Sequence, residues 1–263
     1  MMRIFVFDSG VGGLSVAAEI MKAMPDVGLD YLADSAIFPY GGLEPQALID
    51  RVMLLMEAVL PDLNPAALVI ACNTASTLVL PPLRSRFSLP VVGTVPAVKP
   101  AAEHSHSRLV SVLATPGTVK RDYTYDLIRH YGQDCEFTLV GSWKLASLVE
   151  RHYNGGDVSD AELLDEIAPC FVEKDGRRTD CVALACTHYP LLLDRLQAIA
   201  PWPVEWIDPA PAIARRVVSV TAEMARAPQA GERRQHSFRA TGSLPSARFL
   251  EAFGFTDYAQ LPL

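Results

Sequence analysis

Cys181-Val182-Ala183-Leu184-Ala185-Cys186-Thr187-His188 is apolar without interruption through Cys186 and then turns polar. Short continuous apolar runs of this kind mark strands buried on both faces, as in a parallel sheet covered by helices. Leu68-Val69-Ile70-Ala71-Cys72-Asn73-Thr74 repeats the pattern. Residues 4–7, 29–32, 109–113 and 136–140 are further short, largely apolar runs. Helix-like stretches separate them at 14–24, 46–60, 119–130, 144–153, 161–173 and 190–200. This alternation predicts an α/β fold built on open parallel sheets.

Two proline-rich crossings, residues 90–100 and 201–211, divide the chain. They predict a discontinuous first α/β domain, residues 1–97 plus 208–263, and a second α/β domain, residues 98–207. Beyond the second crossing a helix-like stretch, 212–226, and a short tail remain. That tail is too short to be a domain and is expected to pack on the first one. The two halves resemble each other weakly. Each has a strand ending in a glycine-containing turn, at 8–13 and 115–117, and a later apolar strand ending in Ala-Cys. The expectation is two similar domains related by pseudo-symmetry, with the active site in the cleft between them. Ligands of open α/β sheets bind beyond the carboxyl ends of the strands. Cys72 and Cys186 both stand at such ends.

Composition removes several function classes. The 263 residues include 23 Lys and Arg against 30 Asp and Glu, a formal net charge of −7. A basic stripe, the usual footprint of a nucleic-acid binder, is missing. The basic pairs Arg177-Arg178, Arg215-Arg216 and Arg233-Arg234 read as short solvated pairs. No apolar run approaches the roughly 20 residues of a membrane-spanning helix. Residues 1–8 are too short for an export signal and end in an acid. The expected location is therefore the cytoplasm, where cysteines 72, 135, 170, 181 and 186 remain thiols.

Cys135, Cys170 and Cys181 fit the common packing role of a lone cysteine. Cys72 and Cys186 differ, because Asn73, Thr74 and Thr187 follow them with hydrogen-bonding side chains. Four chemistries compete for that pair. One is simple packing at a turn. A zinc site would combine Cys186, His188 and Cys72, but their spacing matches none of the usual structural patterns. A Cys186–His188 nucleophile would leave the second Ala-Cys strand end unexplained. Finally, two thiols could flank a carbon acid, one removing the α-proton and the other returning a proton to the opposite face. A thiol with a pKa near 8.5 needs only a modest shift to serve either role. Asp8, Glu150 and His188 are the candidate proton-handling neighbours. Asp8 has a competing role as a helix N-cap before Leu14.

The residues also resemble a known family. Phe7-Asp8-Ser9-Gly10-Val11-Gly12-Gly13, Tyr31-Leu32-Ala33-Asp34, Pro39-Tyr40-Gly41 and Ala71-Cys72-Asn73-Thr74 are similar to motifs of the glutamate racemases. So are Val92-Gly93-Thr94-Val95-Pro96, Ala114-Thr115-Pro116-Gly117-Thr118 and Cys186-Thr187-His188-Tyr189-Pro190. These enzymes belong to the cofactor-independent aspartate/glutamate racemase superfamily. The resemblance implies that Cys72 and Cys186 transfer the proton, with Asp8 assisting Cys72, and His188 and Glu150 assisting Cys186. It implies substrate contacts from Asp8, Ser9, Tyr40, Gly41, Asn73, Thr74, Thr118, Thr187 and His188. It further implies no metal, no pyridoxal phosphate or other cofactor, a homodimer, and D-glutamate as a product for peptidoglycan. The family's Ala-Cys-Pro ahead of Leu148-Val149-Glu150 is replaced here by Gly141-Ser142-Trp143. Family members that depend on a cell-wall precursor tend to carry an N-terminal extension. This chain begins almost at its first strand, so no such dependence is expected. Two alternatives stay open: an aspartate or other amino-acid racemase, and a non-catalytic glutamate-binding protein on the same scaffold.

Overall fold

A computed structural model of the chain describes residues 2–132, 134–224 and 235–262. Two compact units emerge, Met1–Thr94 with Ala210–Leu263, and Val95–Pro209.

In chain order the strands are β1 (Arg3–Asp8), β2 (Gly28–Ala33), β3 (Ala67–Ile70), β4 (Val91–Gly93), β5 (Leu109–Ala114) and β6 (Glu136–Gly141). They continue with β7 (Glu173–Lys174), β8 (Arg177–Arg178), β9 (Cys181–Ala185), β10 (Glu205–Ile207), β11 (Ser237–Ala240) and β12 (Asp257–Gln260). The first unit holds a six-stranded sheet in the order β12-β11-β2-β1-β3-β4, parallel throughout. The chain after residue 234 thus supplies two of its strands. The second unit holds a four-stranded sheet, β10-β9-β5-β6, also parallel throughout. Its order read backwards, β6-β5-β9-β10, matches β2-β1-β3-β4. The two units therefore share one topology, with β3 and β9 in equivalent places.

Apolar burial explains why the strands read as continuous runs. Every residue of β3 and β9 is buried. In the first unit, Phe5, Phe7, Leu68 and Ile70 pack against the helices Pro45–Leu63 and Asn73–Arg86. Helices Leu14–Ala23 and Ala210–Thr221 pack together against one another, the latter also meeting β3 and β4. Each such Phe, Leu or Ile contributes about 1.5–3 kcal/mol relative to exposure. In the second unit Val110, Val112, Cys181 and Ala183 pack with Val98 and Leu127 on one side.

Several expected elements change. The helix expected over 119–130 is two helices, Pro116–Val119 and Asp122–Tyr131, because Arg121 is extended (φ −84°, ψ 138°). The hydroxyl of Thr124 donates to the Thr118 carbonyl at 2.7 Å, alongside a longer bond from Arg121 N at 3.4 Å. The helix expected over 161–173 ends at Ile167 and passes into one tight turn, Ala168–Cys170. Pro169 contributes no N–H there. The stretch from residue 190 opens as a tight turn, Tyr189–Leu192, before the helix Leu193–Ile199. Asn73–Arg86 is helical although Pro81 and Pro82 remove two ladder donors. Packing of Val79, Leu80 and Leu83 in the core outweighs that loss. The two proline-rich crossings contain β4 and β10. Arg177 and Arg178 each pair with acids, Glu136 and Glu173, whereas Arg233-Arg234 lies outside the described residues.

Candidate active site

The first cluster lies at the carboxyl ends of β1 and β3. Asp8 ends β1 fully buried. Its Oδ1 accepts from Gly10 N at 2.9 Å and from Ser9 Oγ at 3.4 Å. The carboxylate therefore folds the turn back over the strand end. It does not cap the following helix, whose N-cap is Gly13 without a side-chain bond. The Tyr31 hydroxyl donates to the Gly10 carbonyl at 2.8 Å and fixes the turn from below. Gly13 is required here, since a Cβ would stand 2.7 Å from Tyr31 Oη and 2.9 Å from Asp8 Cβ.

Cys72 follows β3 and occupies the N-cap position of the 14-residue helix Asn73–Arg86. The helix N-terminus favours negative charge at that point. Ser9 Oγ is 3.8 Å from Cys72 Sγ, so one hydroxyl stands between the thiol and Asp8. Thr94 Oγ1 donates to the carbonyls of Ile70 and Ala71, and Ser76 Oγ donates to Ile70. These bonds pin the backbone that presents the thiol. Asn73 and Thr74 are buried beside it, and both polar atoms of the Asn73 side chain lack a hydrogen-bond partner.

Tyr40 and Gly41 open a short turn, Tyr40–Gly42. The Tyr40 hydroxyl points inward and donates to Asp34 Oδ2 at 2.5 Å. Arg51 grips the same carboxylate at 3.0 and 2.7 Å, and Thr241 Oγ1 donates at 2.6 Å. Burial alone would raise the Asp34 carboxyl. Bonds from Arg51, Thr241 and Tyr40 outweigh it and hold the group below its ordinary 3.8. Burial and the neighbouring Asp34 charge push the Tyr40 phenol far up. The tyrosine side chain is thus an anchor for its turn.

The second cluster lies at the carboxyl ends of β5 and β9. Cys186 follows β9 and is buried with Thr187, His188 and Tyr189. Cys186 Sγ is 3.7 Å from His188 Nδ1, and His188 Nε2 is 2.9 Å from Glu150 Oε1. Glu150 sits on the helix Leu145–Tyr153, which brings it onto the imidazole. Burial would lower the His188 pKa, but the Cys186 thiol and the Glu150 carboxylate hold it well above 6.5. Thr118 follows β5, fully buried, with its hydroxyl 3.1 Å from that of Thr115.

Sequence reasoning passed over Asp34 as a site residue, along with Arg51 and Thr241. A buried acid ending the apolar run of β2 was the available signal for Asp34. Arg51 and Thr241 carry no local signal, because each meets Asp34 only through the fold. Among the described residues no group of three or more His, Cys, Asp or Glu is arranged to hold a metal ion. All five cysteines are free thiols.

The Asp/Glu/hydantoin racemase family model matches residues 23–217. The chain is 55% identical to the glutamate racemase of Brucella anthropi over 218 residues, 82% of this chain and 78% of that one. The chain belongs to the glutamate racemase family. Similarity to the Agrobacterium fabrum glutamate racemase is equal, 55% over 214 residues, covering 81% of this chain and 78% of the relative. The fold agrees with the crystal structure of Escherichia coli glutamate racemase, a complex with L-glutamate and the activator UDP-MurNAc-Ala. That match has a TM-score of 0.89 and 38% identity, over 99% of this chain and 98% of the other. Family membership makes the protein an amino-acid isomerase that works without pyridoxal phosphate. No described helix is long and apolar enough to cross a membrane.

Proposed function

We propose that the protein interconverts L- and D-glutamate with Cys72 and Cys186 as the two proton-transfer groups. One observation carries this reading. Equivalent strands, β3 and β9, each end in a buried thiol, and each thiol stands beside a group linked to a carboxylate. Ser9 makes that link to Asp8, and His188 makes it to Glu150.

The chemistry follows from the residue types. A thiolate removes the α-proton, and a thiol on the opposite face delivers its own proton to the α-carbon. The roles of the two sulfurs are then exchanged, so the enzyme must reset its protons before another turnover in the same direction. The carbanionic transition state has no cofactor electron sink, so fixed dipoles in a dry site must stabilise it. Asn73, Thr74 and Thr187 are suited to bind the polar groups of the substrate, and Ser9, Thr118 and the Tyr40-Gly41 backbone are further contacts. The same reading makes the protein a cytoplasmic homodimer that supplies D-glutamate for peptidoglycan.

The test is racemisation in heavy water. Product is expected to carry solvent deuterium at the α-carbon, and Cys72→Ala and Cys186→Ala are each expected to abolish turnover. Full activity in either variant defeats the two-thiol scheme. Parallel assays with aspartate check selectivity, since one methylene separates the substrates by only about 1–3 kcal/mol.

A further inference from the structure

Glu150 and His188 belong to separate elements. The helix Leu145–Tyr153 carries the carboxylate, and the turn after β9 carries the imidazole. A second bond joins the same two elements. The Tyr153 hydroxyl donates to the Leu191 carbonyl at 2.5 Å, the short end of the O–H···O range. Tyr153 lies three residues after Glu150, on the same face of the helix. Leu191 lies three residues after His188, and its N–H donates back to the His188 carbonyl at 3.1 Å. Glu150, Tyr153, Leu191 and His188 therefore close a ring. The Glu150–His188 contact is one side of it, and the Tyr153–Leu191 bond is the side opposite.

The helix itself is tied at both ends. The Glu150 carbonyl accepts from Asn154 N at 3.0 Å and from Asn154 Nδ2 at 2.9 Å. At the other end Leu145 N donates to Ser142 Oγ at 3.0 Å, and Ser142 Oγ donates to Glu166 Oε2 at 2.6 Å. The Tyr153 bond then ties the turn to this fixed helix. Solid packing does not do so at that point. Tyr153 and Leu191 both line a cavity of about 250 Å³, together with His152, Pro190 and Asp194. Without the bond the turn has room to shift. Hydrogen bonds weaken steeply as distance and angle depart from ideal, so a small shift reaches the 2.9 Å contact of Glu150 with His188.

We propose that Tyr153 is a positioning residue for the reaction: its bond to Leu191 sets the separation at which the Glu150 carboxylate meets the His188 imidazole. This rests on the assignment of Cys186 as a proton-transfer group assisted by that pair. Tyr153 acts on the thiol through Glu150 and His188. Its effect on rate is therefore confined to what the carboxylate contributes.

The test is Tyr153→Phe in the full chain, which removes one oxygen and keeps the ring. The expected result is a kcat about tenfold lower, with KM within about twofold of wild type. The low-field ring N–H resonance of His188, assigned by its loss in His188→Gln, is expected to move upfield as the bond to Glu150 loosens. A double-mutant cycle separates positioning from a merely structural role. On a Glu150→Ala background, Tyr153→Phe is expected to lower kcat/KM by less than about twofold, because the group it positions is gone. Site-specific 4-aminophenylalanine at 153 keeps a donor in place and is expected to restore kcat. An unchanged kcat and resonance in Tyr153→Phe, or losses that multiply in the cycle, overturn the proposal. The resonance needs no turnover, whereas absence of racemisation by the wild-type protein would overturn the proposed function instead.

Discussion

The His188 imidazole joins Glu150 to Cys186: Nε2 stands 2.9 Å from the Glu150 carboxylate and Nδ1 stands 3.7 Å from the sulfur. The carboxylate therefore acts on the thiol through a ring that carries a proton at either nitrogen. Glu150→Gln keeps the size and one hydrogen bond but removes the charge. We expect kcat/KM to fall about 100-fold with the melting curve retained. A variant with wild-type kcat/KM would remove the carboxylate from the mechanism.

The same pair sets a pH dependence of stability. The folded His188 has its pKa raised above the ordinary 6.5. A raised basic group adds stability that is fully present below the unfolded value and lost as pH rises through the folded one. The stability advantage of wild type over His188→Gln is thus expected to be largest near pH 6 and to shrink toward pH 9. Urea unfolding across this range measures it. An advantage that grows with pH contradicts the assigned direction.

Asp34 holds Tyr40, Arg51 and Thr241 together within one domain. Breaking a buried ion pair from one side costs about 3–5 kcal/mol. Arg51→Met should destabilise by that order, and adding Asp34→Asn should restore a large part of it in a double-mutant cycle. The lowered Asp34 value adds stability present above 3.8 and lost as pH falls through the folded value. Asp34→Asn should accordingly lose less stability than wild type on acidification below about pH 4.

Asn73 presents the opposite case, a buried amide whose donor and acceptor are both unpartnered. Asn73→Ala should leave chemical stability within about 1 kcal/mol of wild type. Its kcat/KM should nevertheless fall about 10- to 100-fold, the scale of one hydrogen bond to a charged substrate group. A marked loss of stability with normal kinetics would make Asn73 a structural residue.

Gly13 tests the packing under the first cluster. A methyl group there meets Tyr31 Oη at 2.7 Å and Ala71 Cβ at 2.9 Å. Gly13→Ala is expected to cost about 1–3 kcal/mol by urea unfolding. An unaltered midpoint would show that the turn is free to shift.

The sequence alone determined the parallel α/β class and the two strand ends that carry Cys72 and Cys186. Both follow from local facts: β3 and β9 are buried on two faces, so their residues must be continuously apolar, and polarity resumes only where the strand leaves the sheet. Local rules failed where packing or a side chain overrode them, as at the helical Pro81-Pro82 and the break at Arg121. Only the tertiary structure decided that Tyr40 is an anchor and that Glu150 meets His188. Asp34 and Thr241 lie about 200 residues apart yet share a 2.6 Å bond. Hydrogen bonds act over a few ångströms of space and leave no trace in sequence spacing, so such partners become visible only when the chain has folded.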